Sequence, residues 1–269
     1  MDGDAALPNY VTHRCTVHGS AEDIAAFQKL MIREAEDKTF EDEIFDFARL
    51  IPMPPILSKV DKNTISENLY HILYRTKKMP ESWASMNKYC SYRLGPMHES
   101  VGKSDEEIRA LLVSIAPENL QKAELMKEAV DTTGFTSWYD WSIRNWGTKW
   151  NSMHFKRISD DPFVFVFDTA WSAPVPVFEA LAERFPNLQI HCATFDEGWG
   201  FAAEGWFNPP DGETDYVETE PNDAMYEKVY GATIERDEDE DEDEAIDEGQ
   251  ILGDGSEEEA ERDKPIWSA

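Results

Sequence analysis

Between Asn9 and Gly19 the chain alternates like a strand. Val11, His13, Cys15 and Val17 fall on one side, and Thr12, Arg14, Thr16 and His18 on the other. The period then changes. Ser20 with Asp23 three residues on predicts a helix start, and Ile24, Phe27, Leu30 and Met31 form an apolar stripe behind it. A second patterned block begins at Ser137, where Asp140 repeats the same capping spacing. It predicts a short helix with Trp138, Trp141 and Asn145 on one side, stopped by Gly147. Lys149 to Arg157 alternates again. Asp160-Asp161-Pro162 marks a turn, and Phe163 to Thr169 is strongly β-prone. Phe163, Phe165 and Phe167 share one face of that strand and Val164 and Val166 the other, so both faces are expected to be covered. Pro174 and Pro176 open a helix carrying Val177, Phe178, Leu181 and Phe185, and Pro186 ends it. Leu188 to Phe195 and Phe201 to Phe207 read as two further strands, joined through Asp196-Glu197-Gly198.

One strand and one helix, followed later by ββαββ, assemble as an α+β, ferredoxin-like βαββαβ sheet with one extra strand. The body is then residues 1–35 and 136–234. Residues 36–135 become an insertion, too long for a bare loop and so expected to be a helical subdomain. Within it Glu41 to Leu50 reads as a short helix closed by Ile51-Pro52. Thr64 to Lys78, Pro80 to Leu94, Ser104 to Ile115 and Pro117 to Val130 each carry helical spacing. Ala224 to Ile234 reads as a last short helix or strand. There is no internal repeat.

Three segments carry a resemblance: PNYVTHRCTVHG at the start, NWGTKWN in the middle, and TAWSAPVPVFEALAERFP leading to a strand and Asp196-Glu197. They resemble the YubB-type family carried by phages and conjugative plasmids. The matching parts are the opening strand and helix and the block from Trp138 to Phe207; the insertion matches only in position. The resemblance implies a ferredoxin-like carboxy-terminal part and a mobile-element origin. It brings no reaction and no catalytic residue.

Charge changes the picture most. The formal net charge is −30, far from ordinary for 269 residues. Asp211, Glu213, Asp215, Glu218, Glu220 and Asp223 lie in a stretch without a base. From Glu235 to Lys264 seventeen acids face three bases, including the unbroken run Asp237, Glu238, Asp239, Glu240, Asp241, Glu242, Asp243 and Glu244. By composition residues 235–269 are a disordered, self-repelling tail, and the tail departs from the family pattern. Residues 1–234 still carry −16. No apolar run approaches the ~20 residues a membrane span needs. The amino terminus has no basic n-region or apolar h-region, and three cysteines are too few for a disulfide framework. A reduced, cytoplasmic setting in a host cell follows as the expectation.

Candidate chemistry is sparse. His13, Cys15 and His18 lie close in sequence, but His18 points away from the other two, so a half-buried strand is the better reading than a metal site. His191, Cys192, Asp196 and Glu197 have no ligand spacing. No local signal marks Cys15, Cys90 or Cys192 as an activated thiol. There is no phosphate loop, GxSxG or HExxH, and no cofactor or metal is expected. Asp168, Asp196, Glu197 and Glu204 at strand ends are the alternative: a paired-carboxylate site for acid–base work or Mg²⁺, in an enzyme or nucleic-acid-processing protein. Trp138, Trp141, Trp146 and Trp150 have the chemistry to stack bases, yet so acidic a chain repels phosphate. Core packing is their stronger reading, and direct nucleic-acid binding is not expected.

The leading expectation is therefore a non-catalytic binding protein. Its acids would face a host protein with a basic, nucleic-acid-binding surface, and the protein would act as a DNA-mimic inhibitor of a nucleic-acid-directed defence. The bland alternative is a tail that only keeps the chain dispersed.

Overall fold

The strand at Tyr10–His18 (β1) occupies an inner position of the sheet and organises the rest. Structure is described, in a computed structural model, for residues 9–39, 41–61, 64–74, 110, 114, 117–209, 212 and 214–234. The strands after β1 are β2 (Ile32–Glu34), β3 (Glu43–Phe45), β4 (Met153–Asp160), β5 (Phe163–Ala170), β6 (Gln189–Asp196), β7 (Ala202–Phe207) and β8 (Val217–Thr219). The helices are α1 (Ala21–Met31), α2 (Thr64–Tyr74), α3 (Pro117–Thr133), α4 (Trp138–Asn145), α5 (Val175–Arg184) and α6 (Asp223–Tyr230). Six strands form one sheet in the order β4-β5-β1-β6-β7-β8, with every neighbouring pair antiparallel. Elements β1, α1, β4, β5, α5 and β6 make the expected βαββαβ unit. β7 is the expected extra strand, and β8 is a further one the sequence pattern did not announce.

Register assigns the two faces. Cys15 pairs with Phe165 on one side and Cys192 on the other, and His13 with Phe167 and Thr194. Residues directly opposite share a face, so these belong to the inner face, covered by α1 and α5. Phe163, Phe165 and Phe167 are at most 1% exposed there and join Phe27, Phe45, Phe47, Phe178 and Phe207 in one core. Both capping serines act as expected, with a difference in detail. Ser20 accepts from the Asp23 amide and Ser137 from the Asp140 amide, while each aspartate accepts the serine hydroxyl rather than its backbone amide. Pro174 stands at the N-cap of α5 and Pro176 in its first turn, where a missing amide costs nothing.

The other face is covered in part by α6. Met225 and Val229 pack on Ala193, Phe195 and Ala202, with Tyr226 and Tyr230 beside them. The Ala224–Ile234 segment is thus a helix through Tyr230, capped by Asn222 and closed by left-handed Gly231.

One expectation is overturned. Glu41 to Leu50 is not a helix: Glu43–Phe45 pairs with Ile32–Glu34 as a two-stranded hairpin, followed by a 3₁₀ turn at Phe47–Arg49. A short apolar run satisfies either period, and packing decides. Phe45 lies between Phe165 and Phe167 (ring centroids 4.9 and 5.1 Å away), a contact made by an extended segment here. Asp46, 5% exposed, is held by Arg33 and Asn151 and caps Ala48.

From the 36–135 stretch, α2 and α3 pack on each other, and Leu69, Tyr70, Ala123, Met126 and Ala129 belong to the same core as the sheet phenylalanines. The helices expected over 80–94 and 104–115 lie outside the described residues, except for positions 110 and 114. So does the acidic tail from Glu235 onward.

Candidate functional site

The sheet's inner face holds a polar thread rather than a reactive group. His13 is fully buried, with Nδ1 2.9 Å from the Thr194 hydroxyl and Nε2 2.8 Å from that of Thr169. Thr169 donates its only hydroxyl proton to the Ser172 carbonyl, so it must accept from Nε2–H. In the neutral ring that burial favours, Nδ1 carries no proton once Nε2 is the donor, so it accepts the Thr194 hydroxyl, which itself accepts from Tyr216. Every proton is committed, and the ring is neutral. Burial pushes the His13 pKa down to about 3. Cys15 and Cys192, opposite each other in the register, meet at Sγ–Sγ 2.9 Å, and burial pushes the Cys192 thiol well up. His18 lies on the other face beside Trp206, so His13, Cys15 and His18 do not converge. Among the described residues no group of three or more His, Cys, Asp or Glu side chains is placed to hold a metal.

The four candidate carboxylates do not meet in one cluster either. Asp196 pairs with Val11 and so belongs to the inner face. It is 5% exposed and accepts from the Gly200 amide. Glu204 pairs with Ala193 and is held by His191 (3.0 Å) and Lys228 (2.6 Å). The His191 pKa is lowered, chiefly by burial, with Glu204 opposing. A strand period of two thus separates acids that are near in sequence.

Asp168 and Glu197 do come to the same end of the sheet, where β1 begins and β5 and β6 finish. Asp168 accepts from the Thr12 hydroxyl (2.7 Å) and sits 2.8 Å from His154 Nδ1. Glu197 accepts the Tyr10 amide through Oε1 (2.6 Å). Burial raises the Tyr230 pKa, the Thr12 hydrogen bond opposes this, and the charges of Asp168 and Glu197 add to the rise. His154 arrives through a bulge: pairing jumps from Met153–Asp168 to Lys156–Val166, leaving His154 at φ 54°.

Of the four non-glycine residues with positive φ among the described residues, three stand at this end: His154, Trp171 (φ 66°) and Trp199 (φ 58°). Bulky residues rarely adopt this conformation. Trp171 and Trp199 are 44% and 41% exposed, whereas Trp141 and Trp146 are core residues and Trp138 packs against the core. Lys149 Nζ lies 4.2 Å from the Trp150 ring centre and 4.7 Å from that of Trp171, and the two rings are stacked. Trp199 stacks on Tyr226 at an interplanar angle of 11°. Asn9 ties the two exposed tryptophans together: its carbonyl accepts the Trp171 amide, and its side chain fills the space a Cβ on Gly198 would need. Gly147, at φ 81°, lets the NWGTKW segment lie against Ala173 and Pro176, where a Cβ would meet Pro176 Cδ at 2.7 Å. The sequence reading missed Trp171 and Trp199. The available signal was their position just past strand ends, one between Gly198 and Gly200.

Of the acids expected to face a partner, Asp215, Glu218, Glu220 and Asp223 are exposed along and beside β8, an edge strand with all three residues exposed. Glu218 and Glu220 meet no basic side chain among the described residues. Asp211, Glu213 and Asp237 to Glu244 lie outside the described residues.

Residues 145–259 match the family model described as the ferredoxin-like domain in Api92-like protein. The sheet is a ferredoxin-like domain. The matched range leaves out β1 and α1, which complete the ferredoxin-like unit from the amino-terminal side. A crystal structure of a protein api92 from Yersinia pseudotuberculosis is similar over 80% of this chain and 99% of that one, at 13% identity and a TM-score of 0.37. No curated protein matches the sequence. Among the described residues no helix is long and apolar enough to cross a membrane.

Proposed function

We propose that this protein is a non-catalytic binding protein whose acidic surface engages a basic, nucleic-acid-binding surface on a protein partner. The observation that carries the reading is the net charge of −30, together with the exposure of Asp215, Glu218, Glu220 and Asp223 on the last edge of the ferredoxin-like sheet. Carboxylates on a rigid strand hold fixed spacings, as phosphates do. A −30 field speeds encounter with a cationic groove and weakens steeply with salt. An origin in a phage or conjugative plasmid, which the YubB-type resemblance implies, gives such a protein a purpose. It would occupy the DNA- or RNA-binding groove of a host defence protein as a DNA mimic, inside the host cytoplasm. The separation of Asp196 and Glu204 from Asp168 supports this reading over a carboxylate enzyme site.

The test is affinity capture from host lysate at low and high salt, with the full chain and with a chain ending at residue 234. Capture of one nucleic-acid-binding protein, released by salt and blocked in its activity by the captured complex, supports the inhibitor. A captured partner that stays active on DNA or RNA, or no specific capture by either chain, defeats it. Turnover of a nucleic-acid substrate that is lost in Asp168→Asn would favour the enzyme.

A further inference from the structure

Among the described residues Lys149 is the one cation lodged over two aromatic rings. In a protein with 55 acids and 25 bases, its ammonium is in contact with the faces of Trp150 and Trp171 and with no carboxylate among the described residues. A ring face attracts a cation most strongly when the ring is indole. Trp171 is 44% exposed at φ 66°, so part of its surface stays open beyond Lys149. Asn9, which bonds the Trp171 amide, lies against Gly198, and the next residue, Trp199, is backed by Tyr226 and 41% exposed. At the same end Glu197 is exposed and uses Oε1 for the Tyr10 amide, leaving Oε2 without a partner among the described residues. Exposed indoles and a free carboxylate oxygen at one end of the sheet match a guanidinium, which stacks on an indole and donates an N–H to the oxygen.

We infer that the Trp171–Glu197–Trp199 end of the ferredoxin-like sheet is a docking site for arginine side chains of a basic partner segment. This rests on the proposed function and localises it. The acids supply long-range attraction, and the two tryptophans supply the short-range anchor, as buried aromatics and arginines do at the centre of interfaces. Lys149 is then a competitor: it repels the incoming guanidinium and covers part of Trp171.

The experiment is titration of the full chain with a nona-arginine peptide, and with nona-lysine, following tryptophan fluorescence and heat. Trp171→Ala and Trp199→Ala leave the net charge unchanged, so any attraction from the tail is common to all variants. Each is expected to weaken nona-arginine binding by about five- to tenfold, with a smaller loss for nona-lysine. Trp171→Leu keeps apolar bulk without a π face and is expected to lose as much as Trp171→Ala, with far-UV circular dichroism verifying the fold. Lys149→Gln is expected to tighten binding by about two- to threefold. Wild-type affinity in both tryptophan variants overturns the site and leaves the acidic-surface reading standing. Absence of nona-arginine binding by the wild type overturns both. Weaker binding by Lys149→Gln also overturns the site, because Lys149 would then be recognising an anion.

Discussion

Two sets of aromatic side chains, separated by one strand end, behave in opposite ways. Phe163, Phe165 and Phe167 on β5 are at most 1% exposed and stack at centroid distances of 5.3 and 6.0 Å. Trp171 follows the same strand by one residue, takes a left-handed backbone and leaves 44% of itself in solvent. The phenylalanines gain from burial and from regular geometry together. The tryptophan forgoes both, and Trp199 repeats that at the end of the neighbouring hairpin. The difference separates residues selected by folding from residues whose placement folding alone does not explain.

The comparison can be broken most forcefully in the core. Phe165→Ala is expected to cost about 3–5 kcal/mol, read as a lowered urea midpoint with an unchanged m-value. A loss below about 1 kcal/mol would mean the phenylalanine stripe is not the centre of stability.

The buried histidine gives the next largest effect. Its folded pKa, about 3, lies below the ordinary value of 6.5. The unfolded chain therefore binds a proton that the folded one refuses. Stability is complete above the ordinary value and is lost as pH falls toward 3. Between pH 7 and pH 5 the His13 share of this loss is about 2 kcal/mol. His191, also lowered, adds in the same direction. Urea unfolding of the wild type and of His13→Gln at the two pH values isolates the His13 share. Equal pH dependence in both would show that His13 is protonated in the fold.

Smaller effects mark the border between core and sheet end. Gly147→Ala is expected to destabilise by about 1–2 kcal/mol, because it adds left-handed strain and pushes on Pro176. Ser20→Ala, which removes the α1 cap, is expected to cost about 1 kcal/mol by thermal melting. The smallest stability effect belongs to Trp171→Gly. Relief of left-handed strain offsets the lost contacts with Trp150 and Lys149, leaving stability within about 0.5 kcal/mol of wild type. Nona-arginine binding, by contrast, is expected to weaken by about five- to tenfold in the same variant. A large destabilisation would turn Trp171 into a structural residue and end the contrast.

Much of the fold was open to reading because it rests on local periods. The alternation of Val11, His13, Cys15 and Val17, the Phe163–Phe167 stripe, the Ser20 and Ser137 caps and the Pro174–Pro186 helix each follow from near neighbours. Less of the site was legible. Asp168 and Glu197 were named among the strand-end carboxylates, but so were Asp196 and Glu204. Which of the four share a face depends on pairing between β1, β5, β6 and β7, and sequence spacing does not encode that pairing.

By itself the sequence determined the strands and helices of the ferredoxin-like unit, their βαββαβ order, and the acidity of the chain, since propensity, capping and charge act within a few residues or simply sum. Tertiary structure decided the rest. It made a hairpin of Glu43–Phe45, because Phe45 is drawn between Phe165 and Phe167 from over a hundred residues away. It closed His13 between Thr169 and Thr194, and set Cys15 against Cys192, through a register fixed by burying one face of the sheet. It also left Trp171 and Trp199 in solvent beside Glu197, because strand ends meet there whose partners lie far apart in the chain, and only the assembled sheet brings them together.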